Sequence, residues 1–279
     1  MGDTDLKRGL REARQNLKSG KVREALARLF HLTEKYPEDG EVKGQIAVAL
    51  LAQGRDHAEH GKIDAAREDF SRSIGYSETP EGHLYLGRIH HISGRFDEAF
   101  AEYTRALDLD EALPAVHENL GFYFLDVQEF EQASKAFSNA LSTGATGRDA
   151  YIGLWRAYAA MERLDKAHEA ILDAVQKMPR DDEVLVVAGV SCLMRRELEE
   201  AETYWERAAA LNPRNVDARF HLAANAAHAG RRDDALKLMR ACAAIDAART
   251  RQLWKQDAQQ QRPRFSGSAG DEDLLDLFE

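Results

Sequence analysis

The side chains best suited to nucleophilic or metal chemistry in this 279-residue sequence are ten histidines and two cysteines. His57 and His60 are spaced so that they could share one face of a helix. Cys192 and Cys242 form neither a CxxC pair nor a Cys/His cluster with zinc-ligand spacing. The patterns GxxxxGKS/T, GxSxG and HExxH are also absent. We therefore expect a protein that is not an enzyme and has no catalytic residues, metal or cofactor, with both cysteines as reduced packing residues.

An internal repeat supplies the elements that position the side chains of this sequence. One alanine anchors each of seven similar segments, and the intervals between successive anchors are 41, 33, 34, 34, 34 and 34 residues. The anchors are Ala25, Ala66, Ala99, Ala133, Ala167, Ala201 and Ala235. A fixed period of this length predicts a chain built from stacked supersecondary units.

Each repeat has the pattern of two helices that pack against each other. Most copies have a small residue twelve positions before the anchor and a bulky apolar residue four positions after it, such as Gly87 and Tyr103. A small residue opposite a large one lets two helices interdigitate. The turn within a repeat is marked by Gly20, Gly61, Gly94 and Gly230, and prolines fall between repeats, where a helix must stop.

The third to seventh repeats share one register, and in that register the sequence resembles the tetratricopeptide repeat (TPR) family. The matching residues are Leu86, Gly87, Leu120, Gly121, Tyr158, Pro179 and Pro213. The resemblance covers about residues 6–245 and implies an all-α fold, a right-handed α-solenoid (superhelix) of about seven helix-turn-helix units plus a capping helix. The first two repeats depart from the pattern, because seven extra residues separate Ala25 from Ala66. These residues predict a lengthened helix over EVKGQIAVALLAQGRDHAEH.

The family resemblance implies a solenoid and a capping helix, and the composition predicts a tail and a location. We predict a TPR solenoid over residues 1–245, a C-terminal capping helix over 246–258, and a flexible tail over 259–279 that ends in an acidic and apolar motif. The formal net charge of −10 argues against nucleic-acid binding, which needs a concentrated basic surface. The charged N-terminal segment and the lack of a long apolar window predict a cytoplasmic protein with no membrane insertion.

The resemblance also implies a concave groove, lined by one stripe of the first helices, that usually holds a peptide. The eleventh residue before each anchor belongs to this stripe, and four of these seven residues are arginines. With neighbouring stripe positions, the predicted groove residues are Arg14, Arg55, Arg88, Phe122, Arg156, Val186, Val190, Met194 and Phe220. Arginine forks and apolar pockets suit an acidic peptide with apolar anchors. The alternative is that these arginines are solvated and pair with acids on neighbouring helices.

The sequence ends in DEDLLDLFE, residues 271–279, which combines acidic and large apolar side chains. As a helix it would place Leu274, Leu277 and Phe278 on one face, the form of a docking motif that folds on binding. The predicted docking residues are Asp271, Leu274, Leu275, Leu277 and Phe278. The segment could dock on another protein, occupy the groove of its own or a neighbouring copy, or serve only as a solubilising tail.

These observations predict a non-catalytic adaptor or scaffold that binds other proteins through its groove and its C-terminal tail, with possible self-association through the tail. The alternative function is a chaperone that shields apolar segments of a secreted or assembling client protein. Neither the partner nor the pathway follows from the sequence, because arrays of this kind serve many processes.

Overall fold

The structure, a computed structural model, describes residues 2–258, and all 15 elements within that range are α-helices. The chain divides into two compact units, with the boundary between Ala145 and Thr146. In each unit, consecutive helices pack as hairpins, one hairpin for each predicted repeat. The all-α solenoid fold predicted from the repeat is thereby confirmed.

The first unit contains eight helices. They are α1 (Gly2–Lys18), α2 (Val22–Lys35), α3 (Gly40–Glu59), α4 (Ile63–Tyr76), α5 (Pro80–Ile92), α6 (Phe96–Leu109), α7 (Pro114–Asp126) and α8 (Phe130–Ser142). Three hairpin partners pack most extensively here: α3 with α4, α5 with α6, and α7 with α8.

The second unit contains seven helices within its described residues. They are α9 (Arg148–Ala160), α10 (Leu164–Lys177), α11 (Asp182–Met194), α12 (Leu198–Leu211), α13 (Val216–His228), α14 (Arg232–Ile245) and α15 (Ala247–Ala258). Among the helices of residues 2–258, the last one, α15, packs against α13 and α14.

In the four repeats that have a glycine twelve positions before the anchor, the small and the large residue meet as the pattern predicts. A Cβ atom added to Gly87 would lie 2.7 Å from Cδ1 and Cε1 of Tyr103, and that ring has no solvent exposure. The same relationship joins Gly54 to Phe70. Because only a hydrogen atom fits between the backbone of the first helix and the ring of the second, these four hairpins are closely packed.

The third helix is the long one predicted from the seven extra residues. It spans 20 residues, whereas most other helices have 13 or 14. Asp39 caps its N-terminus, accepting a hydrogen bond from the backbone N–H of Val42 at 2.9 Å. The apolar residues Val42, Ile46 and Leu50 are fully buried along it. The insertion therefore lengthens one helix and keeps its apolar face in phase.

The turn inside each hairpin uses one residue in the left-handed region of backbone space. That residue is Gly20, Gly61, Gly94 or Gly230 in four repeats, with φ values between 71° and 76°. In the other three repeats the equivalent residue is Gln128, Glu162 or Arg196, with φ values of 62°, 57° and 67°. The sequence did not identify these three turns, because their residues carry no turn signal. The hairpin geometry imposes the conformation on them.

The C-terminal end of the described chain is covered by α15. Leu253 is 6% exposed and packs in one apolar cluster with Phe220, Met239 and Cys242. The predicted docking segment, residues 271–279, lies outside the described residues. No helix of the described part of the chain is both long and apolar enough to cross a membrane.

Candidate functional site

A cleft in the first unit brings two of the predicted groove residues together. Arg55 on α3 and Arg88 on α5 both line it, and its volume is about 380 Å³. The helices α3 and α5 are the first helices of two consecutive hairpins. The remaining lining residues are Ala58, Glu59, Phe70, Tyr85, Ile89 and Ile92. We refer to this site as the arginine cleft.

The packing of the hairpins explains why the arginines point out of the core. Arg55 directly follows Gly54, and Arg88 directly follows Gly87. Each glycine faces the aromatic ring of its own hairpin. Because a helix turns by about 100° per residue, the next side chain leaves the packing face and becomes exposed. Both arginines are exposed.

The floor of the arginine cleft is aromatic. The rings of Phe70 and Tyr85 stack with centroids 5.4 Å apart and an interplanar angle of 19°. The guanidinium carbon of Arg55 lies 5.7 Å from the centroid of the Tyr85 ring, a cation–π arrangement. At the edge, the side chain of Ile92 is 68% exposed. The cleft therefore offers a cationic group and an apolar side chain next to each other.

The arginine cleft retains an excess of positive charge. Within the described residues, neither Arg55 nor Arg88 forms an ion pair, and Glu59 is the one acidic residue that lines the cleft. The formal net charge of the chain is −10, yet these two arginines form no ion pairs with its acids within the described residues. Their positive charge therefore remains available to attract an anionic ligand.

The two other predicted arginines differ from each other. Arg14 forms an ion pair with Glu41, so it fits the alternative of a solvated arginine held by a neighbouring helix. Arg156 is exposed on α9, and no ion pair involves it within the described residues. Arg156 belongs to the second unit, and the structure does not bring it into the arginine cleft.

A second cavity, of about 590 Å³, lies in the second unit at the N-terminal ends of α11 and α13. Its apolar lining includes the predicted groove residue Val186, which is only 9% exposed, together with Ile152 and Val187. Its polar lining includes Asp182 and Arg249. Most of the polar side chains that line this cavity already form hydrogen bonds with one another. The two arginines of the arginine cleft, in contrast, form no ion pair among the described residues.

Asp182 is the centre of this polar network. It accepts hydrogen bonds from the side-chain amides of Asn215 at 2.7 Å and Asn212 at 2.8 Å. Burial alone would raise the pKa of Asp182, but the hydrogen bonds from the two asparagines outweigh burial, so the net pKa is lowered. Arg249 donates to Asp217 at 3.2 Å, which ties α15 to α13. The network therefore fastens helices together.

The other predicted groove residues differ in their exposure and in the side chains that they contact. Phe220 is 1% exposed and lies in the apolar cluster under α15, so its side chain is part of the core. Val190 packs beside Trp205, and Met194 is 39% exposed. Phe122 is half-buried, with its ring edge-on to Phe137 at 5.1 Å.

An exposed aromatic patch on α5, α6 and α7 was not identified from the sequence. Phe96 is 37% exposed and Phe100 is 42% exposed, and both rings lie against Tyr123. We refer to these residues, with Ile92, as the aromatic patch. The signal was present as apolar residues at positions 92, 96 and 100, which the repeat pattern does not assign to the core.

The histidines singled out by spacing have structural partners. His57 Nδ1 lies 2.7 Å from Oδ2 of Asp69, whose side chain is buried. His60 Nδ1 lies 2.7 Å from the backbone carbonyl oxygen of Asp56. The two rings therefore bond to different groups and do not form a common site.

The comparison with protein families gives one description. A family model described as "Tetratricopeptide repeat" matches residues 51–114, 152–209 and 195–249, which together are more than half of the chain. Among curated proteins, the human Protein O-mannosyl-transferase TMTC1 is 26% identical over 138 residues. That alignment covers 50% of this chain but only 16% of the human protein.

Solved structures give the same architecture. The C-terminal part of a TPR repeat-containing protein from Cytophaga hutchinsonii superposes with a TM-score of 0.65 and 16% identity, covering 97% of this chain and 99% of that chain. PilF of Pseudomonas aeruginosa gives a TM-score of 0.65 at 16% identity, covering 77% of this chain and 99% of that one. YrrB, described as a TPR protein with an unusual peptide-binding site, gives 0.51 at 20% identity, covering 67% and 97%. At these identities the similarity shows the fold alone.

Proposed function

The chain belongs to the tetratricopeptide repeat family, and from that premise we propose that it is a non-catalytic adaptor or scaffold that binds an acidic, apolar peptide segment of a partner protein in the arginine cleft. The observation that carries this proposal is that Arg55 and Arg88, without ion-pair partners among the described residues, line one cleft together with the stacked rings of Phe70 and Tyr85.

The chemistry of the cleft defines the ligand. A carboxylate of the peptide accepts charge-assisted hydrogen bonds from the arginines, each worth roughly 1.5–3 kcal/mol before solvent screening is considered. A neighbouring leucine or phenylalanine of the peptide packs against Ile92, which is 68% exposed and thus available for burial. Apolar burial contributes roughly 25 cal/mol per Å², so the apolar anchor adds to the affinity that the charged contacts provide.

The C-terminal segment of this chain has the same chemistry as the proposed ligand. Its sequence, DEDLLDLFE, places acids beside leucines and a phenylalanine. The segment lies outside the described residues, so we propose it as a second attachment point on sequence alone. It either docks on a partner protein or enters the arginine cleft of its own or another copy, which would couple ligand binding to self-association.

A titration with a labelled peptide tests the cleft. The protein is the chain ending at Ala258, which retains all 15 helices, and the peptide covers residues 265–279. We expect saturable binding that weakens with added salt. The double variant Arg55→Ala/Arg88→Ala should bind the peptide more weakly, by about tenfold or more. The matched control is Arg11→Ala/Arg23→Ala, which removes the same charge from exposed positions outside the cleft.

The control decides the interpretation. Equal weakening by the two double variants would show a nonspecific effect of charge and would contradict the cleft as the site. A peptide in which Leu274, Leu275, Leu277 and Phe278 are alanines keeps its acids and measures the apolar contribution. If that peptide bound as tightly as the original, the proposal that apolar side chains anchor the peptide would be wrong.

The aromatic patch favours a second candidate function, a chaperone for an assembling client. Phe96 and Phe100 expose apolar surface outside the arginine cleft, and binding of one peptide in that cleft does not use this surface. The measurement is the soluble fraction of an aggregation-prone client protein co-expressed with this chain. Loss of solubilisation in Phe96→Ser/Phe100→Ser, with solubilisation kept in Arg55→Ala/Arg88→Ala, would favour the chaperone over the adaptor.

A further inference from the structure

Three side chains of different ligand type meet where α10, α11 and the start of α12 come together. His168 belongs to α10, Cys192 to α11, and Glu197 directly precedes α12. One imidazole nitrogen, the thiol sulfur and one carboxylate oxygen all lie within 4.8 Å of one another. It is the one group of this kind within the described residues. These three residues belong to the second unit, whereas the residues that line the arginine cleft belong to the first.

We propose that His168, Cys192 and Glu197 bind a single divalent transition-metal ion of the zinc type. The ligand set decides the class of ion. Magnesium and calcium select shells made only of oxygen atoms, whereas nitrogen and thiolate ligands select zinc and its neighbours in the first transition series. Three protein ligands leave one position of a tetrahedral shell open, as in zinc sites that also hold a water molecule.

The distances fit such an ion after a small movement. Zinc bonds of about 2.0–2.3 Å at tetrahedral angles place the ligand atoms about 3.3–3.8 Å apart. The three atoms are within 4.8 Å of one another, so each has to move by about 1 Å or less. His168 and Glu197 are half-buried and have room to turn, whereas Cys192 is 1% exposed and fixed in the core.

A cavity lined by two of the three ligands, His168 and Cys192, provides the open position. It has a volume of about 340 Å³, and its lining includes His168, Cys192, Glu200 and Tyr204. A water molecule or the carboxylate of Glu200 can complete the shell from this side. The cavity also gives an ion in solution a path to the buried sulfur.

The charges around the site favour a cation. The carboxylates of Glu197 and Glu200 act electrostatically on the Cys192 thiol, and their negative charge attracts a cation. A bound divalent ion displaces the thiol proton, and its two positive charges balance the thiolate and the carboxylate of Glu197. Arg195 opposes the ion, because its Nε donates to Oε1 of Glu197 at 3.0 Å. Arg195 also pairs with Asp165, and Glu197 has a second oxygen, so this ion pair does not occupy the ligand completely.

The other cysteine shows what a purely structural cysteine looks like in this chain. Cys242 is fully buried in the apolar cluster with Val216, Phe220 and Leu253. Its sulfur lies 3.9 Å from the backbone oxygen of Val216. The histidine and glutamate that accompany Cys192 have no counterpart in the group around Cys242. Cys242 is therefore a matched control within the same molecule.

Titration of the full-length chain with Co²⁺ tests the proposal. Cobalt bound to a thiolate gives a charge-transfer absorption band in the near ultraviolet, and the chain has only two cysteines that could produce it. We expect the band to saturate at one Co²⁺ per chain and to disappear when Zn²⁺ is added. It should be lost in Cys192→Ser and kept in Cys242→Ser.

Two further variants separate binding from folding. His168→Gln and Glu197→Gln change half-buried side chains and should each weaken Co²⁺ binding about tenfold or more, with unchanged far-ultraviolet circular dichroism. Absence of the band in the native chain, or a band that persists in Cys192→Ser, would overturn the proposal. Unchanged affinity in both His168→Gln and Glu197→Gln would do the same. The peptide titration of the arginine cleft is independent of every one of these outcomes.

Discussion

Gly121 lies directly against the ring of Phe137, so that a Cβ atom on residue 121 would be 2.7 Å from both Cε1 and Cζ of that ring. The ring has no solvent exposure and cannot swing away. We expect Gly121→Ala to lower the free energy of unfolding by about 1–3 kcal/mol, although alanine favours a helix. Denaturant unfolding measures the change.

The control for this prediction is Gly44→Ala. Gly44 lies inside α3, and no atom lies within 4 Å of a Cβ added there. We expect a gain of about 0.5–1 kcal/mol from helix propensity. If Gly121→Ala behaved like Gly44→Ala, close packing in the hairpin would not be the reason for the glycine.

The turn residue Gln128 is strained in a way that glycine would relieve. Its φ is 62° and its side chain is exposed. We expect Gln128→Gly to raise the free energy of unfolding by about 0.5–1 kcal/mol, because glycine adopts positive φ without a steric penalty. The reverse substitution at the equivalent turn, Gly61→Ala, should cost about 1 kcal/mol. Thermal unfolding of both variants provides the measurement, and changes of the same sign would contradict the strain.

Leu253 is the main contact by which α15 covers the end of the second unit. It is 6% exposed and packs with Phe220 and Met239. We expect Leu253→Ala to destabilise the protein by about 2–3 kcal/mol. Lys255→Ala, at an exposed position of the same helix, should change stability by less than about 0.5 kcal/mol. A similar small effect from both variants would mean that α15 does not act as a cap.

Asp182 predicts a loss of stability in acid. Its pKa is lower in the folded chain than in the unfolded chain, so its carboxylate stabilises the fold above the unfolded pKa, about 3.9. This contribution is lost as the pH falls through the lower, folded pKa. We expect the stability difference between the native chain and Asp182→Asn to be larger at pH 7 than in strong acid. A difference that stayed constant with pH would contradict this.

Much of the fold was predictable from the sequence, because each hairpin is fixed by residues that lie close together in the chain. The anchor alanines, the pairing of Gly87 with Tyr103 and the length of α3 all follow from local spacing. Local spacing does not predict the turns at Gln128, Glu162 and Arg196. There the packing of two helices overrides the preference of the turn residue.

The candidate sites were less predictable, because they depend on residues that are distant in sequence. Arg14 and Arg88 occupy equivalent repeat positions, but Glu41 from a later helix reaches Arg14 and pairs with it. Phe220 was assigned to the groove by its stripe, yet α15 places Leu253 against its cluster and buries it. The sequence positions of His168, Cys192 and Glu197 likewise do not match the spacing of a known metal-binding motif. Only the stacking of hairpins brings them together.

The pairing of a glycine with an aromatic ring has a consequence for how the chain folds. The glycine and the ring are 16 positions apart in each of the four pairs: Gly54 and Phe70, Gly87 and Tyr103, Gly121 and Phe137, and Gly189 and Trp205. The loop that must close to form such a contact is short and has the same length in every case, so its entropic cost is low and nearly uniform. The chain therefore has several equivalent places at which folding can start, and each finished hairpin offers its neighbour a surface on which to form.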